Sequence, residues 1–376
     1  MDAFYASVEL LRYPQLRGLP LVIGGRRSVP TDDPSGFARL RDYAGRGVAT
    51  TATYEARAFG VHSGMGLMKA AKLAPDAVLL PADFEQYGRY SRLFKAAVRE
   101  IAPLIEDRGI DEIYIDLTEV DGESDALAQR IKDNVRRATG LSCSIGITPN
   151  KLLAKIASEL DKPDGITILR EEDISSRIWP LPVRKINGVG PRSGSRLEEI
   201  GIATIGALAH TPLEILREHF GERQSRWLLD AANGRDNRPV VTSSEPKSLS
   251  RETTFERDLD AVRDRAELSR ILVNLCERVS GDLRRKGYTG RTIGVKLRYA
   301  DFRIVTRDST IDTATDDPRA ILAAARECLK RVRLDRRLRL LGVRVGTLGR
   351  PGQGHEPGAG ASALTGLPRT RGLFDG

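Results

Sequence analysis

The 376-residue chain has little of what staples or metallates a small fold. Its three cysteines, Cys143, Cys276 and Cys328, are scattered and form no Cys-x-x-Cys pair. That excludes a disulfide scaffold and a zinc ribbon, and it fits a reducing compartment. The four histidines, His62, His210, His219 and His355, show no ligand spacing, which argues against a zinc enzyme. No apolar run reaches membrane-spanning length and no secretory signal pattern is present, so the expected location is the cytoplasm, with no membrane partner. Excess positive charge is also missing from most of the chain. Residues 245–350 carry 25 Lys+Arg against 16 Asp+Glu, and the remainder balances at 35 of each, so the whole net charge of +9 sits in one segment. A confined basic excess suits a module that binds nucleic-acid phosphates, because each contact releases condensed counterions.

What is present is an apolar fraction of 40% and a charged fraction of 30%, enough to build real cores in two or three domains and, with small ones, four. The first twenty residues alternate weakly and lead into a strand, Leu19–Ile23, closed by Gly24-Gly25. Residues 26–47 read as a surface loop or insertion. Helical periodicity marks 67–74, 86–102, about 123–139 and about 151–160. Short apolar strands flank Asp111-Glu112, and another covers Ser142–Ile147. Residues 181–234 read as short helices broken by Gly and Pro, and the polar stretch 235–250 suits a linker. Beyond it the order strand, helix, strand, strand, helix, strand resembles a split β-α-β module. The last 28 residues hold eight Gly and three Pro and read as a disordered tail.

Four short motifs carry chemistry. Gly109-Ile-Asp111-Glu112 places two carboxylates at the edge of an apolar strand, where hard oxygen ligands could gather magnesium; taken singly, such a pair is an ordinary exposed turn. In Thr51-Ala-Thr-Tyr54-Glu-Ala-Arg57, a helix would put Tyr54 and Arg57 on one face, suited to a triphosphate or simply to solvent. Asn150-Lys151 to Lys155, followed by Lys162-Pro-Asp-Gly165, offers lysines that can reach phosphates or form a solvated helix face. Gly188-Val-Gly190 before a helix, then Gly201-Ile-Ala-Thr204, has the pattern of a helix-hairpin-helix, whose free N–H groups can meet a DNA phosphate.

Together with the opening Met1-Asp-Ala-Phe-Tyr5-Ala-Ser-Val-Glu9, these motifs resemble, in order and from Met1 to about Gly346, the Y-family DNA polymerases in their bacterial DNA polymerase IV (DinB) branch. The resemblance implies a multidomain α+β right hand. Palm would be 1–3 and 78–180, small fingers 4–77, and a helical thumb with the helix-hairpin-helix 181–240. A linker 241–250, a β-α-β-β-α-β little finger 251–348 and the tail 349–376 would follow. It implies low-fidelity, template-directed translesion synthesis on primer-template DNA with deoxynucleoside triphosphates and two Mg2+ ions, by a monomer. Asp111 would be a metal ligand and Glu112 the catalytic carboxylate beside it. Tyr5 would exclude the ribose 2′-hydroxyl, Thr51, Tyr54, Arg57 and Lys162 would hold the triphosphate, and Gly188 and Gly190 would contact the duplex backbone.

The match departs from the family in several places, among them Gly109 where the family usually has Ser and the insertion at 26–47. The family has an essential aspartate two residues before Asp2, a position this chain begins too late to hold, and Asp2 matches an acid that is not normally a ligand. Either the natural start lies upstream of Met1, or the chain is a catalytically impaired DNA-binding scaffold. In the tail, Gly372-Leu373-Phe374-Asp375 resembles a sliding-clamp-binding peptide with Thr370 in place of the usual Gln, and an incidental Leu-Phe pair is the other reading.

Overall fold

The computed structural model describes residues 1–25 and 36–351. The chain divides into two compact units, Met1–Ser243 and Ser244–Gly376.

The first unit opens on helix α1 (Phe4–Arg12), where sequence alternation suggested extended chain. The alternation is real in burial terms, since Phe4, Ala6 and Val8 are all buried. The next residue, Glu9, is buried too, so α1 is covered over a broad face and shows no clean helical stripe. Strand β1 (Leu21–Gly24) lies at the centre of a small sheet, antiparallel to β2 (Ala49–Ala52) and parallel to β3 (Val78–Leu80). Helices α2 (Tyr54–Ala58) and α3 (Leu67–Leu73) follow β2. Within the stretch read as a surface loop, Phe37 and Leu40 are buried and join the core, while Arg41, Asp42 and Gly45 are exposed; residues 26–35 lie outside the described ones.

Helix α4 (Phe84–Arg99) packs on α5 (Ser124–Thr139), and between them in sequence β4 (Ile105–Asp107) and β5 (Ile113–Ile115) form an antiparallel hairpin. Each long helix ends as its sequence dictates. Asp83 caps α4 by accepting the Gln86 N–H, and Gly140 leaves α5 at φ 71°, a left-handed turn that glycine adopts without strain. Strand β6 (Ile145–Ile147) pairs in parallel with β7 (Ile166–Ile168) across helix α6 (Lys151–Ala157), which Asn150 caps at the Leu153 N–H. Four further helices, α7 (Pro191–Glu199), α8 (Ile205–Ala209), α9 (Leu213–Phe220) and α10 (Glu222–Ala232), share one apolar core with α6.

The second unit is one four-stranded antiparallel sheet carrying two helices. In chain order it runs β8 (Ser248–Leu259), α11 (Arg265–Lys286), β9 (Thr289–Tyr299), β10 (Ile304–Thr315), α12 (Pro318–Lys330) and β11 (Leu338–Gly349), with sheet order β10-β9-β11-β8. Alternate residues Ile293, Val295, Leu297 and Tyr299 of β9 face the helices and are buried, which is the period of two that the sequence displayed. The polar stretch read as a linker to residue 250 gives way to β8 at Ser248, because backbone pairing with β11 recruits Ser248–Ser250 regardless of their polarity.

Candidate active site

The acidic motif sits where a short hairpin must hold it. Asp111 and Glu112 lie in the connection between β4 and β5, and the Arg108 N–H donates to the Glu112 carbonyl at 3.1 Å. From α4, Lys95 Nζ donates to Asp107 Oδ2 and to the Gly109 carbonyl, both at 2.7 Å, while Asp107 Oδ1 accepts the Gly109 N–H. From α6, Lys151 Nζ donates to Glu106 Oε2 at 2.6 Å and to the Pro239 carbonyl at 2.6 Å, and the Val241 N–H joins the same carboxylate oxygen at 2.9 Å. Burial alone would raise the Glu106 carboxyl, but the Lys151 and Val241 donors hold it below the usual carboxylate range. A turn later in α6, Lys155 Nζ stands 3.2 Å from Glu112 Oε1. Three lysines on two helices thus fix the hairpin that presents the acids.

Tyr5, on the first turn of α1, is packed by aromatic rings. Its centroid is 4.5 Å from Tyr87 and 5.9 Å from Phe84, the latter edge-on. Tyr87 is locked in turn, its hydroxyl donating at 2.7 Å to the buried Glu9 carboxylate. Burial, and behind it the charge of Asp111, push the Tyr5 phenol above its ordinary value. The Met1 N-terminus donates to the Asp111 carbonyl at 3.0 Å, and Tyr5 and Ile110 pack on the same apolar cluster, so the start of the chain lies against the acidic hairpin.

The second cluster is cationic. Thr53 caps α2 from the strand end, accepting the Ala56 N–H, so Tyr54 and Arg57 come to share a face. The Arg57 guanidinium lies 4.9 Å from the Tyr54 ring centroid and its Nε donates to the Ala52 carbonyl at 3.0 Å. Among the described residues, the Tyr54 hydroxyl is buried without a hydrogen-bond partner. Burial first, then the charge of Asp2, pushes its phenol up to about 12. Thr51 is buried in β2, beside these residues, paired with Ile23. Lys162 donates to Glu159 Oε1 at 2.7 Å, and the same oxygen lies 3.5 Å from Lys155.

Asp2 explains how the Lys162 turn is held. The Asp2 side chain is buried, and its carboxylate accepts from Ser142 Oγ at 2.9 Å, Ser144 Oγ at 2.8 Å and the Asp164 N–H at 2.9 Å. The Asp164 carboxylate meets Lys132 and Arg136 of α5. A buried carboxylate satisfied by three donors has its lone pairs engaged in structure. Asp2 thus anchors the Lys162–Gly165 turn to the start of the chain.

The two hairpin glycines differ. Gly188 sits at φ 111°, and a Cβ there would come within 2.8 Å of the Trp227 ring, so its place is fixed by close packing. Gly190 precedes α7, whose first residue is Pro191, and a Cβ at Gly190 would meet nothing within 4 Å. A cavity of about 160 Å³ lies nearby, lined by Lys155, Glu159, Lys185 and Asn187 among others.

Glu112 and Lys162 are thus joined through Lys155 and Glu159, Asp111 is adjacent to Glu112, and Tyr54 and Arg57 form a cationic face of their own with Thr51 in the strand beneath, whereas Gly188 and Gly190 lie in the helical part of the unit. Sequence reading missed the supporting residues Tyr87, Lys95, Glu106 and Glu159, and it noticed Asp2, Lys151 and Lys155 without their structural partners. Only the helical spacing of Lys151, Lys155 and Glu159 offered a signal, since three and four residues apart share a face.

Asp111 and Glu112 are hard oxygen donors, and among the described residues no three acidic, His or Cys side chains converge. Two carboxylates suit magnesium, which takes one or two protein carboxylates and completes its shell with water and substrate phosphate oxygens. The donor set fits a nucleotide-bound magnesium.

With this geometry established, comparison with known proteins is consistent across the chain. Residues 1–159 match the impB/mucB/samB family, 171–202 the IMS family HHH motif, and 246–357 the impB/mucB/samB family C-terminal domain. DNA polymerase IV of Alkalilimnicola ehrlichii is 40% identical over 354 residues, covering 93% of each chain. DNA polymerase IV of Streptococcus suis is 36% identical over 349 residues, covering 92% of this chain and 94% of its own. Among solved structures, a Y-family DNA polymerase chimera of Dbh and Dpo4 superposes with a TM-score of 0.77 at 27% identity, and DinB from Sulfolobus solfataricus with 0.60 at 26%; each comparison covers 92% of this chain and 96% of the other.

Proposed function

We propose that this chain, which belongs to the impB/mucB/samB family and is a DinB-type Y-family DNA polymerase, adds deoxynucleotides to a primer 3′-end in low-fidelity, translesion synthesis directed by a template. The observation that supports the reading is the acidic hairpin, linked from Glu112 through Lys155 and Glu159 to Lys162, together with a packed Tyr5 and a cationic face at Arg57 with the buried, unpartnered Tyr54 hydroxyl. The primer 3′-oxygen attacks the α-phosphorus, and pyrophosphate leaves.

Each residue has a part in that reaction. Asp111 and Glu112 would hold Mg2+, with two ions as the working number, on a hairpin that Lys95, Lys151 and Lys155 pin to α4 and α6 so that little reorganisation is needed. Bound magnesium neutralises phosphate charge and makes the primer hydroxyl a better nucleophile. The Tyr5 ring, fixed between Tyr87 and Phe84, occupies the space a ribose 2′-hydroxyl would need. Thr51, Tyr54, Arg57 and Lys162 grip the triphosphate, the Tyr54 hydroxyl gaining an acceptor for its proton. Backbone N–H groups around Gly188 and Gly190 meet duplex phosphates, and the basic second unit adds affinity that is independent of sequence. The likeness to an insertion ternary complex of Dbh DNA polymerase, at a TM-score of 0.64 and 25% identity, supports DNA and nucleotide as joint ligands. We place the protein in the cytoplasm as a monomer, with the sliding clamp as a further partner through residues 370–376, which lie outside the described ones.

Primer extension tests the reading. The wild type should lengthen a primer according to the template, and Asp111→Ala should stop incorporation while leaving DNA binding in place. A scaffold that binds primer ends without chemistry, the reading favoured by a set of two acids, gives no extension with either protein.

A further inference from the structure

We propose that Glu159 is a built-in stand-in for nucleotide phosphates: its carboxylate occupies the site lysines until a polyphosphate displaces it, and only a ligand whose phosphates reach those lysines has to displace it. The inference rests on the nucleotide-binding reading above and assigns a positioning and specificity role to a residue outside the proposed set of phosphate and metal ligands.

The geometry is that of an anion waiting between cations. Glu159 Oε1 takes Lys162 at 2.7 Å and Lys155 at 3.5 Å, and Lys155 is shared with Glu112 at 3.2 Å. Glu159 lies just beyond the last turn of α6, three residues before Lys162. Its side chain is 40% exposed and that of Lys162 21%, so the pair is open to an incoming solute. Glu159 also contributes charge at Tyr54, the residue whose ring the Arg57 guanidinium covers. The cavity of about 160 Å³ that Glu159 and Lys155 line leaves the displaced carboxylate somewhere to go.

The chemistry follows from charge. A single carboxylate satisfies Lys162 but cannot reach Arg57 and the Tyr54 hydroxyl at once. A triphosphate offers several oxygens and more charge, so it displaces Glu159 and engages all three groups. A monophosphate presents too few oxygens to span from Arg57 to Lys162, and the resident carboxylate keeps its lysines. An exposed or half-exposed ion pair is weak, so the penalty that Glu159 imposes on binding is about two- to fivefold in dissociation constant.

The test is equilibrium binding of dCTP, dCDP and dCMP to the full chain on a template G, with a dideoxy-terminated primer and magnesium, so that no chemistry intervenes. Glu159→Gln should tighten dCTP and dCDP by about two- to fivefold and leave dCMP unchanged. Glu159→Asp, which keeps the charge, should stay within about twofold of wild type. Equal or weaker dCTP binding by Glu159→Gln, or a gain that is the same for all three ligands, would overturn the proposal. Lys162→Ala separates this from failure of the underlying reading. If it weakens dCTP while Glu159→Gln is flat, only the stand-in role is lost; if Lys162→Ala is also flat, the nucleotide site itself is wrong.

Discussion

Asp2 shows how far a single side chain can matter without touching a substrate. Its carboxylate satisfies Ser142, Ser144 and the Asp164 N–H, and the last of these lies in the turn that carries Lys162. Asp2→Ala leaves those donors without a partner inside the fold, which costs about 1–3 kcal/mol each where the donor stays buried and unsatisfied. We expect a lowered melting temperature together with a raised KM for deoxynucleotide and a smaller effect on kcat; a KM equal to wild type would show that the turn holds Lys162 without Asp2. Tyr54 gives a pH dependence of definite sign. A folded-state phenol near 12, against an ordinary value of about 10, contributes stability that is present below pH 10 and is lost as pH rises from there towards 12. Tyr54→Phe should therefore flatten the alkaline limb of the stability profile, as followed by circular dichroism from pH 8 to 12.

Elements were legible where periodicity was clean. The spacing of α3, α4 and α5 gives one apolar stripe apiece, and the expected ranges 67–74, 86–102 and 123–139 fall within a few residues of the helices found. Helix α1 was not legible, because burial of Glu9 beside Phe4, Ala6 and Val8 erases the stripe; Glu9 is compensated by the Tyr87 hydroxyl, 78 residues away, and by Arg12 one turn on. The stretch 235–247 has the composition of a linker, yet Asp236 accepts the Leu152 N–H and Val241 donates to Glu106, pairings that composition cannot announce. The Lys151–Glu106 pair ties that stretch to the acidic hairpin. Removing one partner of a buried pair leaves an uncompensated charge, so Glu106→Leu should destabilise the first unit by about 3 kcal/mol and the double change with Lys151→Met by less. Thermal unfolding of the two variants measures the difference; equal losses would mean the pair is not coupled. The sign with pH also follows. A carboxyl held below its usual range contributes stability above about pH 4.3 that is lost as pH falls through its folded value, and wild type should lose stability in acid more steeply than the double variant.

At the scale of the whole molecule, charge distribution was the most legible property. The +9 confined to residues 245–350 falls within the second unit, whose sheet and paired helices match the impB/mucB/samB C-terminal domain. Many of its basic residues are already paired, as Arg344 is with Asp308 and Lys296 with Glu252, so fewer cations reach phosphate than the bare count suggests. DNA affinity should fall linearly with the logarithm of salt concentration, with a slope of about 0.9 per phosphate neutralised, and Arg344→Ala should lower that slope by about one if Arg344 leaves Asp308 for the backbone. A slope near zero would contradict binding through this segment. The candidate site was less legible than the charge. Order along the chain brought Tyr5, Tyr54, Arg57, Asp111, Glu112 and Lys162 to notice, whereas Asp2, Lys95 and Lys155 act through contacts between segments far apart in sequence.

The central claim is that Tyr5 and the Asp111-Glu112 hairpin form one nucleotide-addition centre. Single-nucleotide incorporation opposite a template G, with dCTP and with CTP, by wild type and Tyr5→Ala addresses it most directly. The account predicts that Tyr5→Ala raises kcat/KM for CTP relative to dCTP by about tenfold or more, equivalent to about 1.4 kcal/mol of clash relieved, while DNA binding is unchanged. An unaltered CTP-to-dCTP ratio in an otherwise active Tyr5→Ala protein would contradict it.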